Sequence, residues 1–565
     1  MQPSRNEEQI YVNQELYKIS QQLNIPYIIT CDVHYLNKDE KFIHAAYLNS
    51  QDGDREVSEF YDSTYLMGTE ELESFFPYFN QEQLETAYKN ILKIKDMCGD
   101  YDLKKPLRIP ELPWKDSTVS LDEVKQYLPQ MPNLKYFIES DFRGDNLLAQ
   151  LIIQGIKDKK ELQTQEAYDE INDELNTTWV SSQVNNAHWS SYFLNLQKII
   201  DTCWDAGSLV LCGRGSGVGF LILYVLGITQ INPLLEKTKT FAWRFLNPER
   251  VSVLDVDFDI SGLRRGEVLK KFREVYGEDR VANVLTLGTE KSKSAVLTAA
   301  RGLGIDNDTA QYIVSLIPSD RGLTRTLAQC YYGDAENDYP KIPEFVKAMD
   351  NNPELWKVAQ RIEGLVCRMG IHAGGIIFVD EDFTNSTSLM KAPDGTIITA
   401  FDLHKAEAVS LIKYDALSVE AADKIQVCLE LLCKYGYIKE YPTLRETYEH
   451  AIGIYNIERE DPQMWEMVWQ HKIQALFQME KASGIQGIAS IHPKDINDLT
   501  VLSSVIRLMA PDKNSEQPLQ TWARYRSNIN EWYEEMRQYG LTEEEIEWLS
   551  NSDAVTEGMC ESQEG

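Results

Sequence analysis

The order of apolar and polar positions predicts helices along most of the chain and strands mainly in its middle. Helical spacing is expected in the first 24 residues and at 70–98, 119–205, 263–276, 290–365 and beyond 418. Short runs rich in β-branched and aromatic residues predict strands at 25–30 (IPYIIT), 251–260, 370–379 and 409–415. Residues 208–228 predict a strand, a glycine-rich turn and an apolar helix in succession. The pattern indicates a mixed α/β centre with helical insertions, followed by a long helical region.

A proline-punctuated segment, KKPLRIPELPWKDS at 104–117, interrupts this pattern. Proline removes a backbone donor and fixes φ, so closely spaced prolines disfavour both helix and central strand. The segment predicts a linker or a domain boundary.

The composition is that of an ordinary globular protein large enough for several domains. The chain has 565 residues, of which 43% are hydrophobic and 25% charged. It contains no run of about 18 apolar residues, so no transmembrane helix is expected. None of the nine cysteines forms a CxxC pair. The cysteines therefore predict neither a zinc knuckle nor a disulfide framework, and they favour a reduced, cytoplasmic setting.

The formal net charge of -32 argues against phosphate binding by the surface as a whole. The charge is uneven, however. Basic residues and glycine concentrate at 212–219, 237–250 and 263–301, whereas acidic residues concentrate at 51–85, 161–175 and 530–565. This distribution is compatible with a local basic groove inside an acidic protein.

The segment VLDVDFDI places Asp255, Asp257 and Asp259 at alternating positions of a predicted strand. Side chains two apart in a strand point to the same face, so these like charges repel unless a cation neutralises them. Hard carboxylate oxygens suit Mg²⁺. A solvated edge strand or a calcium-type acidic loop would give the same pattern. The spacing also leaves open whether the pair is 255 and 257 or 257 and 259.

The turn GRGSG, residues 213–217, precedes an apolar helix. Glycines let a backbone approach phosphate groups, and free N–H groups at a helix start bind anions. Arg214, Gly215 and Ser216 are the candidate phosphate contacts. The spacing does not fit a P-loop, and a plain packing turn is the alternative.

The turn and the acidic strand together suit nucleotidyl transfer, which requires metal, positioning and charge neutralisation rather than covalent help. Arg244 and Arg250 lie between them in FAWRFLNPERVSV. These arginines are candidates to pair with triphosphate oxygens, or to balance Asp255.

Three strings resemble the palm of the bacterial C-family replicative DNA polymerases, the DNA polymerase III alpha subunits: CGRGSGVGFLILYVLGITQINPL, FAWRFLNPERVSVLDVDFDI and RVANVLTLGTEKSKSAV. The resemblance extends over nearly the whole chain. It implies a nucleotidyltransferase-like palm with an inserted helical thumb, preceded by the end of a PHP domain and followed by partial fingers. The implied segments are PHP 1–105, palm 106–288 and 370–420, thumb 289–369 and fingers 421–565.

The resemblance implies a DNA-directed DNA polymerase that uses primer–template DNA, deoxynucleotides and two Mg²⁺ ions. Asp257, Asp259 and Asp415 would be the metal-binding carboxylates, with Lys413 beside Asp415. Arg507, in VLSSVIRLMAP, would contact the nucleotide.

Two basic residues of the implied thumb, Lys293 and Arg301, are candidate DNA contacts, and a solvated helix face is the alternative for both. Asp255 is expected to be structural or to act behind the metal ligands. His372 in IHAGG is expected to be a packing or turn residue.

CDVHYL resembles the last metal-ligand segment of a PHP domain, which makes Asp32 and His34 candidate ligands of Zn²⁺ or Mn²⁺. A PHP-type phosphoesterase is therefore an alternative function. The resemblance also suggests an internal piece of a longer polymerase, with contacts to a sliding clamp and other replisome subunits in regions outside this chain. A split or inactive polymerase piece that needs a C-terminal partner chain is the other alternative.

Overall fold

The computed structural model describes residues 1–52, 59–100, 102–235, 242–249, 254, 256–320, 323–337, 339–457, 461–474, 476, 478–508 and 516–552. The chain divides into two compact units. The first unit comprises Met1–Leu103 and Leu287–Gly370, and the second comprises Lys104–Thr286 and Ile371–Gly565. The functional segments implied by the resemblance stay a prediction.

The helices alternate with short connections along most of the described chain. In order they are α1 (Glu7–Leu23), α2 (Lys41–Asp52), α3 (Thr69–Glu73), α4 (Gln81–Met97), α5 (Leu121–Lys125), α6 (Leu134–Ile138), α7 (Arg143–Asp158), α8 (Gln165–Asn185), α9 (Trp189–Asp205), α10 (Leu221–Val225), α11 (Ala242–Phe245), α12 (Arg265–Tyr276), α13 (Ser292–Gly302), α14 (Asn307–Ser315), α15 (Leu327–Tyr332), α16 (Pro343–Asp350), α17 (Pro353–Ile362), α18 (Phe383–Ser386), α19 (Leu403–Ala408), α20 (Glu420–Lys434), α21 (Leu444–Ile452), α22 (Pro462–Trp469), α23 (Ala482–Ile491), α24 (Ile496–Val505), α25 (Pro518–Ser527), α26 (Ile529–Gln538) and α27 (Glu543–Ser552). None of the helices in the described ranges is long and apolar enough to cross a membrane.

The strands form a six-stranded mixed sheet and a separate two-stranded ribbon. They are β1 (Asp257–Ile260), β2 (Val281–Thr289), β3 (Ser319–Asp320), β4 (Leu323–Thr324), β5 (Val366–Phe378), β6 (Leu389–Lys391), β7 (Ile397–Asp402) and β8 (Lys413–Ser418). The order in the large sheet is β1-β8-β5-β2-β7-β6. β1 runs parallel to β8, whereas β5 runs antiparallel to β8. The predicted mixed α/β class is confirmed.

The large core of the second unit supports one face of this sheet. α9 is its centre, because almost every residue of α9 is buried and α7, α8 and α12 pack around it. Phe258 and Ile260 of β1 and Tyr414 and Ala416 of β8 belong to the same core. The residues that alternate with them, Asp257 and Asp259 on β1 among them, therefore lie on the opposite side of their strands.

The first unit contains α1–α4 and α13–α17 and has two apolar cores, one around α3 and α4 and one that α2 shares with α13–α17. α13 packs against α2, α14 and α17, and Phe345, Met349 and Leu355 fill the centre of that helical cluster. Helices at 290–365 are as predicted, except for the ribbon β3–β4. α3 and α4 likewise confirm the helical prediction for 70–98.

The strand predicted at 25–30 is wrong, since these residues have no regular structure. Met1 donates to the Ile28 carbonyl at 2.9 Å, and the Thr30 N–H donates to the Met1 carbonyl at 3.0 Å. The segment thus exchanges hydrogen bonds with one terminal residue rather than with a strand. A ladder needs a partner that runs alongside over several residues.

The strand predicted just after 208 is also wrong in extent, because only Val210 pairs, as an isolated bridge with Ile260. The chain turns away directly afterwards. Gly213 and Gly215 have φ of 106° and 77°, which end extended structure. The apolar helix that follows is confirmed only as the short α10.

Candidate active site

β1 and β8 bring together two carboxylates that lie far apart in the sequence. The strands pair in parallel with Asp257 directly opposite Asp415 and Asp259 opposite Leu417. Neighbouring strands lie about 4.8 Å apart, and paired residues point to the same face. Asp259 lies two residues beyond Asp257 and shares that face. All three predicted metal ligands therefore project from the same face of the β1–β8 pair.

The three carboxylates differ in their access to solvent. The side chain of Asp257 is 29% exposed, that of Asp259 9% and that of Asp415 6%. Burial raises the pKa of Asp259 above its usual value, and the Arg214 guanidinium acts in the opposite direction. Buried like charges are unfavourable unless cations lie near them.

Two cations from the chain lie against these carboxylates. An Arg214 Nη2 atom lies 3.3 Å from Asp257 Oδ2 and 3.1 Å from Asp259 Oδ1. The Lys413 ammonium donates to Asp415 Oδ2. Lys413 and Asp415 are two apart on β8, so they share one face of the strand. Arg214 was predicted as a phosphate contact and Lys413 as the neighbour of Asp415, and the structure places both side chains against the carboxylates.

The glycine-rich turn delivers Arg214 to the acidic strand. The bridge between Val210 and Ile260 brings the residues before the turn alongside β1. The backbone then reverses through Gly213 and Gly215, both at positive φ, a conformation that side chains other than glycine rarely adopt. The GRGSG pattern therefore has a structural reason here that is independent of phosphate binding.

His372 packs beside Asp415 from the neighbouring strand β5. Its Nδ1 accepts the N–H groups of Gly374 and Gly375 at 3.2 and 2.7 Å, and lies 3.7 Å from Asp415 Oδ1. A Cβ at position 374 would lie 2.4 Å from a methyl group of Leu417. The glycines thus allow β5 to approach β8 closely next to the carboxylate.

α9 packs against β1 and β8 on the side opposite to the carboxylates. Asn195 donates to the Tyr414 hydroxyl at 3.1 Å and accepts from Trp114 Nε1 at 2.7 Å. Tyr192 stacks on Tyr414 with ring centroids 5.6 Å apart, and its hydroxyl donates to the Leu254 carbonyl at 2.8 Å. Tyr414 lies between Lys413 and Asp415 in the sequence, so these contacts fix the backbone that carries both.

The carboxylate oxygens of the site are of the ligand type that suits a divalent cation. Asp259 Oδ1 and Asp415 Oδ1 are fully buried; Arg214 Nη2 lies 3.1 Å from the first, and His372 Nδ1 lies 3.7 Å from the second. Such acceptors are costly unless a cation completes their environment, and carboxylate oxygens are the ligands of Mg²⁺. Within the described part of the chain, however, no group of three or more His, Cys, Asp or Glu side chains is arranged to hold a metal ion. Arg214 and Lys413 lie beside the oxygens that such an ion would share.

Of four other predicted residues, two are described only by their backbones and two are not described. Ser216 begins a short 3-10 helix, Ser216–Gly219, and Arg244 lies in α11; only their backbones are described. Arg250 and Asp255 lie outside the described residues. Their predicted roles stay predictions.

The remaining predicted contacts lie on other elements. Arg507 follows α24, and its guanidinium donates to Gln478. Lys293 and Arg301 both lie on α13 in the first unit. Arg301 donates to the Ser50 carbonyl at 3.2 Å, within the same unit.

Asp32 and His34 lie in an irregular segment of the first unit. Their side chains are 45% and 34% exposed. The His34 ring nitrogen Nδ1 is 2.8 Å from the Asp32 carbonyl oxygen, and the ring lies 5.4 Å from that of His44. The structure thus places the two predicted residues side by side.

Sequence reasoning missed the residues that support the site, namely Tyr192, Asn195 and Glu174. Glu174 lies in the acidic stretch 161–175, where it was counted with the surface charge, yet it is 1% exposed. Ile171, Leu175 and Thr178 are buried on the same face of α8. This i, i+4 and i+7 spacing was the available signal.

Comparison with known proteins gives matches over most of the chain. The model of the bacterial DNA polymerase III alpha NTPase domain matches residues 146–418, and that of the bacterial DNA polymerase III alpha subunit finger domain matches 437–539. The first of these regions includes every carboxylate and cation of the site.

Relatives are similar over the whole length of the chain. A probable DNA polymerase YorL of Bacillus subtilis and a DNA-directed DNA polymerase of Bacillus phage SPbeta are each 37% identical over 574 residues, covering 100% of this chain. The DNA polymerase III subunit alpha of Thermus aquaticus is 27% identical over 88% of the chain. The chain spans 44% of the length of the first two relatives and 42% of the third.

Proposed function

The chain belongs to the bacterial DNA polymerase III alpha family, and on that premise we propose that it supplies the catalytic palm and part of the fingers of a DNA-directed DNA polymerase. The observation that carries the proposal is the register of β1 and β8, which sets Asp257 opposite Asp415 with Asp259 on the same face. Carboxylates on adjacent strands, next to a glycine-rich turn, suit transfer of a nucleotidyl group.

The proposed residues divide the work between metal binding and phosphate binding. Asp257, Asp259 and Asp415 would hold two Mg²⁺ ions, which activate the primer 3′-hydroxyl and steady the leaving pyrophosphate when bound. The turn at Arg214–Ser216 would receive the triphosphate, helped by Arg244, Arg250 and Arg507. Base pairing with the template would select the nucleotide.

Lys413 has a role of its own in this proposal. It donates to Asp415 and is only 11% exposed, so its charge is held at the carboxylate rather than in solvent. The ammonium therefore supplies a positive charge next to a carboxylate that is itself only 6% exposed.

The substrates and partners follow from the family and are part of the proposal. Primer–template DNA and deoxynucleotides would be the substrates, with Lys293 and Arg301 as DNA contacts. A sliding clamp and other replisome subunits would bind regions outside this chain. The complete enzyme would act in the bacterial cytoplasm, where its template lies.

An Asp257→Asn substitution tests the central assignment. In the polymerase that contains this chain, we expect primer extension to be abolished, while binding of primer–template, measured by fluorescence anisotropy, changes little. Asp279→Asn is the matched control, since Asp279 is an exposed aspartate of the same unit. Extension by the Asp257 variant at near the wild-type rate would overturn the assignment.

The chain spans less than half of its relatives, so the test has a second arm. Primer extension is measured for this chain alone and for the chain combined with the C-terminal polypeptide of a relative. Activity only in the combination identifies a catalytic piece that works with a partner. Activity of the chain alone shows that the palm and partial fingers suffice.

A further inference from the structure

α10 connects directly to the glycine-rich turn and is held by charged side chains at both ends. It is only five residues long, Leu221–Val225, and follows the short helix Ser216–Gly219. Isolated helices of this length are not stable, so its position depends on its neighbours. Those neighbours are therefore the residues that locate the turn.

Glu174 of α8 holds the N-terminal end of α10. One carboxylate oxygen accepts the Leu221 N–H at 2.6 Å, and the other accepts the Ile222 N–H at 2.8 Å. The preceding residue, Phe220, provides no side-chain cap. The first N–H groups of a helix lack partners within it, and a negative charge there is favourable. Glu174 thus satisfies two donors with one buried carboxyl group.

Lys159, directly after α7, and Gln197 of α9 hold the opposite end. The Lys159 ammonium donates to the Val225 carbonyl at 3.0 Å, and Gln197 donates to the Leu226 carbonyl at 2.9 Å. A Cβ at position 155 would lie 2.3 Å from the Val225 oxygen, so α7 lies directly against this backbone. A cation at the C-terminal end complements the carboxylate at the other end.

The turn packs against α10 and against the residue before β1. A Cβ at position 217 would lie 3.2 Å from Leu223 of α10 and 3.2 Å from Val256, the residue before β1. There is little room between these two side chains. A displacement of α10 would therefore displace the turn relative to Asp257 and Asp259.

Burying the Glu174 carboxyl group has a free-energy cost that packing alone does not explain. It is 1% exposed, and burial raises its pKa well above the usual range, while the two N–H groups act in the opposite direction. An apolar residue of similar size would fill the same space without the cost of removing a charge from water. Unlike an apolar side chain, the carboxyl group makes two directional hydrogen bonds, which fix the position of the first residues of α10.

We propose that Glu174 is a positioning residue for the nucleotide site, acting through α10 to hold the GRGSG turn in register with the carboxylates of β1. The inference rests on the proposed function, since it assigns the turn to the triphosphate. Glu174 itself touches no reacting atom.

The test compares Glu174→Gln with Asp145→Asn in the polymerase that contains this chain. Asp145 of α7 is also 1% exposed. It accepts hydrogen bonds at 2.6 Å from Ser140, in the segment before α7, and from Ser190 of α9, and neither of these partners belongs to the turn. Both variants replace one buried carboxyl group by its amide. We expect only Glu174→Gln to raise the KM for a deoxynucleotide, by about tenfold, with kcat falling by less than about threefold.

Hydrogen–deuterium exchange provides a readout that does not depend on activity. Peptides covering 211–226 should exchange faster in Glu174→Gln than in Asp145→Asn, because local opening of α10 becomes easier. If Glu174→Gln does not fold, Lys159→Met, which retains the aliphatic length, should give the same two effects from the other end of α10.

The outcomes separate this inference from the proposed function. An unchanged KM and unchanged exchange at 211–226, relative to Asp145→Asn, would overturn the positioning role even in an active polymerase. Absence of primer extension by the wild-type protein would instead count against the proposed function, and the exchange measurement would still decide whether Glu174 holds the turn.

Discussion

Two regions of the chain carry predicted metal ligands, and their side chains have very different surroundings. At the β1–β8 edge, Asp259 and Asp415 are nearly buried and lie against cations of the chain. In the first unit, Asp32 and His34 lie in an irregular segment and are a third to a half exposed. The predicted ligands of the β1–β8 site come from two strands that pack on α9. Those of the first unit are Asp32 and His34, two residues apart in one irregular segment.

This difference shows what a strand pair adds to an acidic motif. In the loop, a side chain can turn into water, and nothing forces two ligands to face the same point. In the paired strands, the register fixes Asp257 opposite Asp415, and Asp259 Oδ1 and Asp415 Oδ1 are buried. Buried carboxylate oxygens are costly unless a cation or a hydrogen-bond donor lies near them. The strand site therefore has a stronger physical reason to bind a cation than the loop.

The largest effect is expected at the buried carboxylate of the strand site. Asp415→Asn should lower kcat for primer extension by at least about a thousandfold, because it removes a metal ligand and leaves Lys413 without its counter-charge. Single-turnover extension in the complete polymerase would measure it. The matched change Asp32→Asn should leave the rate within about twofold. Equal losses from the two variants would abolish the distinction between the regions.

The hydrogen bonds of Asn195 on α9 should contribute to the free energy of unfolding. Asn195→Ala would leave Trp114 Nε1 and the Leu112 N–H without an acceptor, at a cost of about 3 kcal/mol. Denaturant unfolding followed by tryptophan fluorescence would measure it. The exposed Asn351 of the first unit, changed to Ala, provides the control. A loss below about 1 kcal/mol would mean that the strands do not depend on α9 in this way.

Arg214 should compete with a metal ion for the strand carboxylates. Arg214→Gln should raise the affinity for Mn²⁺ alone, measured by calorimetry without DNA, by about tenfold, which corresponds to about 1.4 kcal/mol. Arg264→Gln is the control, because Arg264 pairs with Glu430 instead. Identical Mn²⁺ affinities in the two variants would show that Arg214 does not occupy the position of the ion.

The smallest effect is expected in the loop. His34→Ala should change the free energy of unfolding by no more than about 0.5 kcal/mol and should leave primer extension unaltered. Hydrolysis of a model phosphate ester with Mn²⁺ tests the alternative function. If His34→Ala abolishes this hydrolysis and Asp257→Asn leaves it intact, the first unit contains a phosphoesterase. The loop would then be a functional metal site as well.

Several features could be predicted from local sequence, and others could not. The helices of the second half and the elements around 257–276 follow from short-range periodicity. The strand at 25–30 did not form, because apolar content alone does not supply a partner strand. The burial of Glu174 was missed because its acidic neighbours in the sequence obscured the apolar face of α8.

The sequence alone determined which residues are candidates. Alternation along β1 places Asp257 and Asp259 on one face, and the two glycines of the turn permit the backbone that presents Arg214. Only the tertiary structure decided their neighbours: Asp415 opposite Asp257, Arg214 and Lys413 against the carboxylates, α9 against Tyr414, and Glu174 at the start of α10. The reason is physical. Backbone geometry fixes the direction of a side chain within a few residues, whereas the pairing of distant strands depends on how the whole core packs.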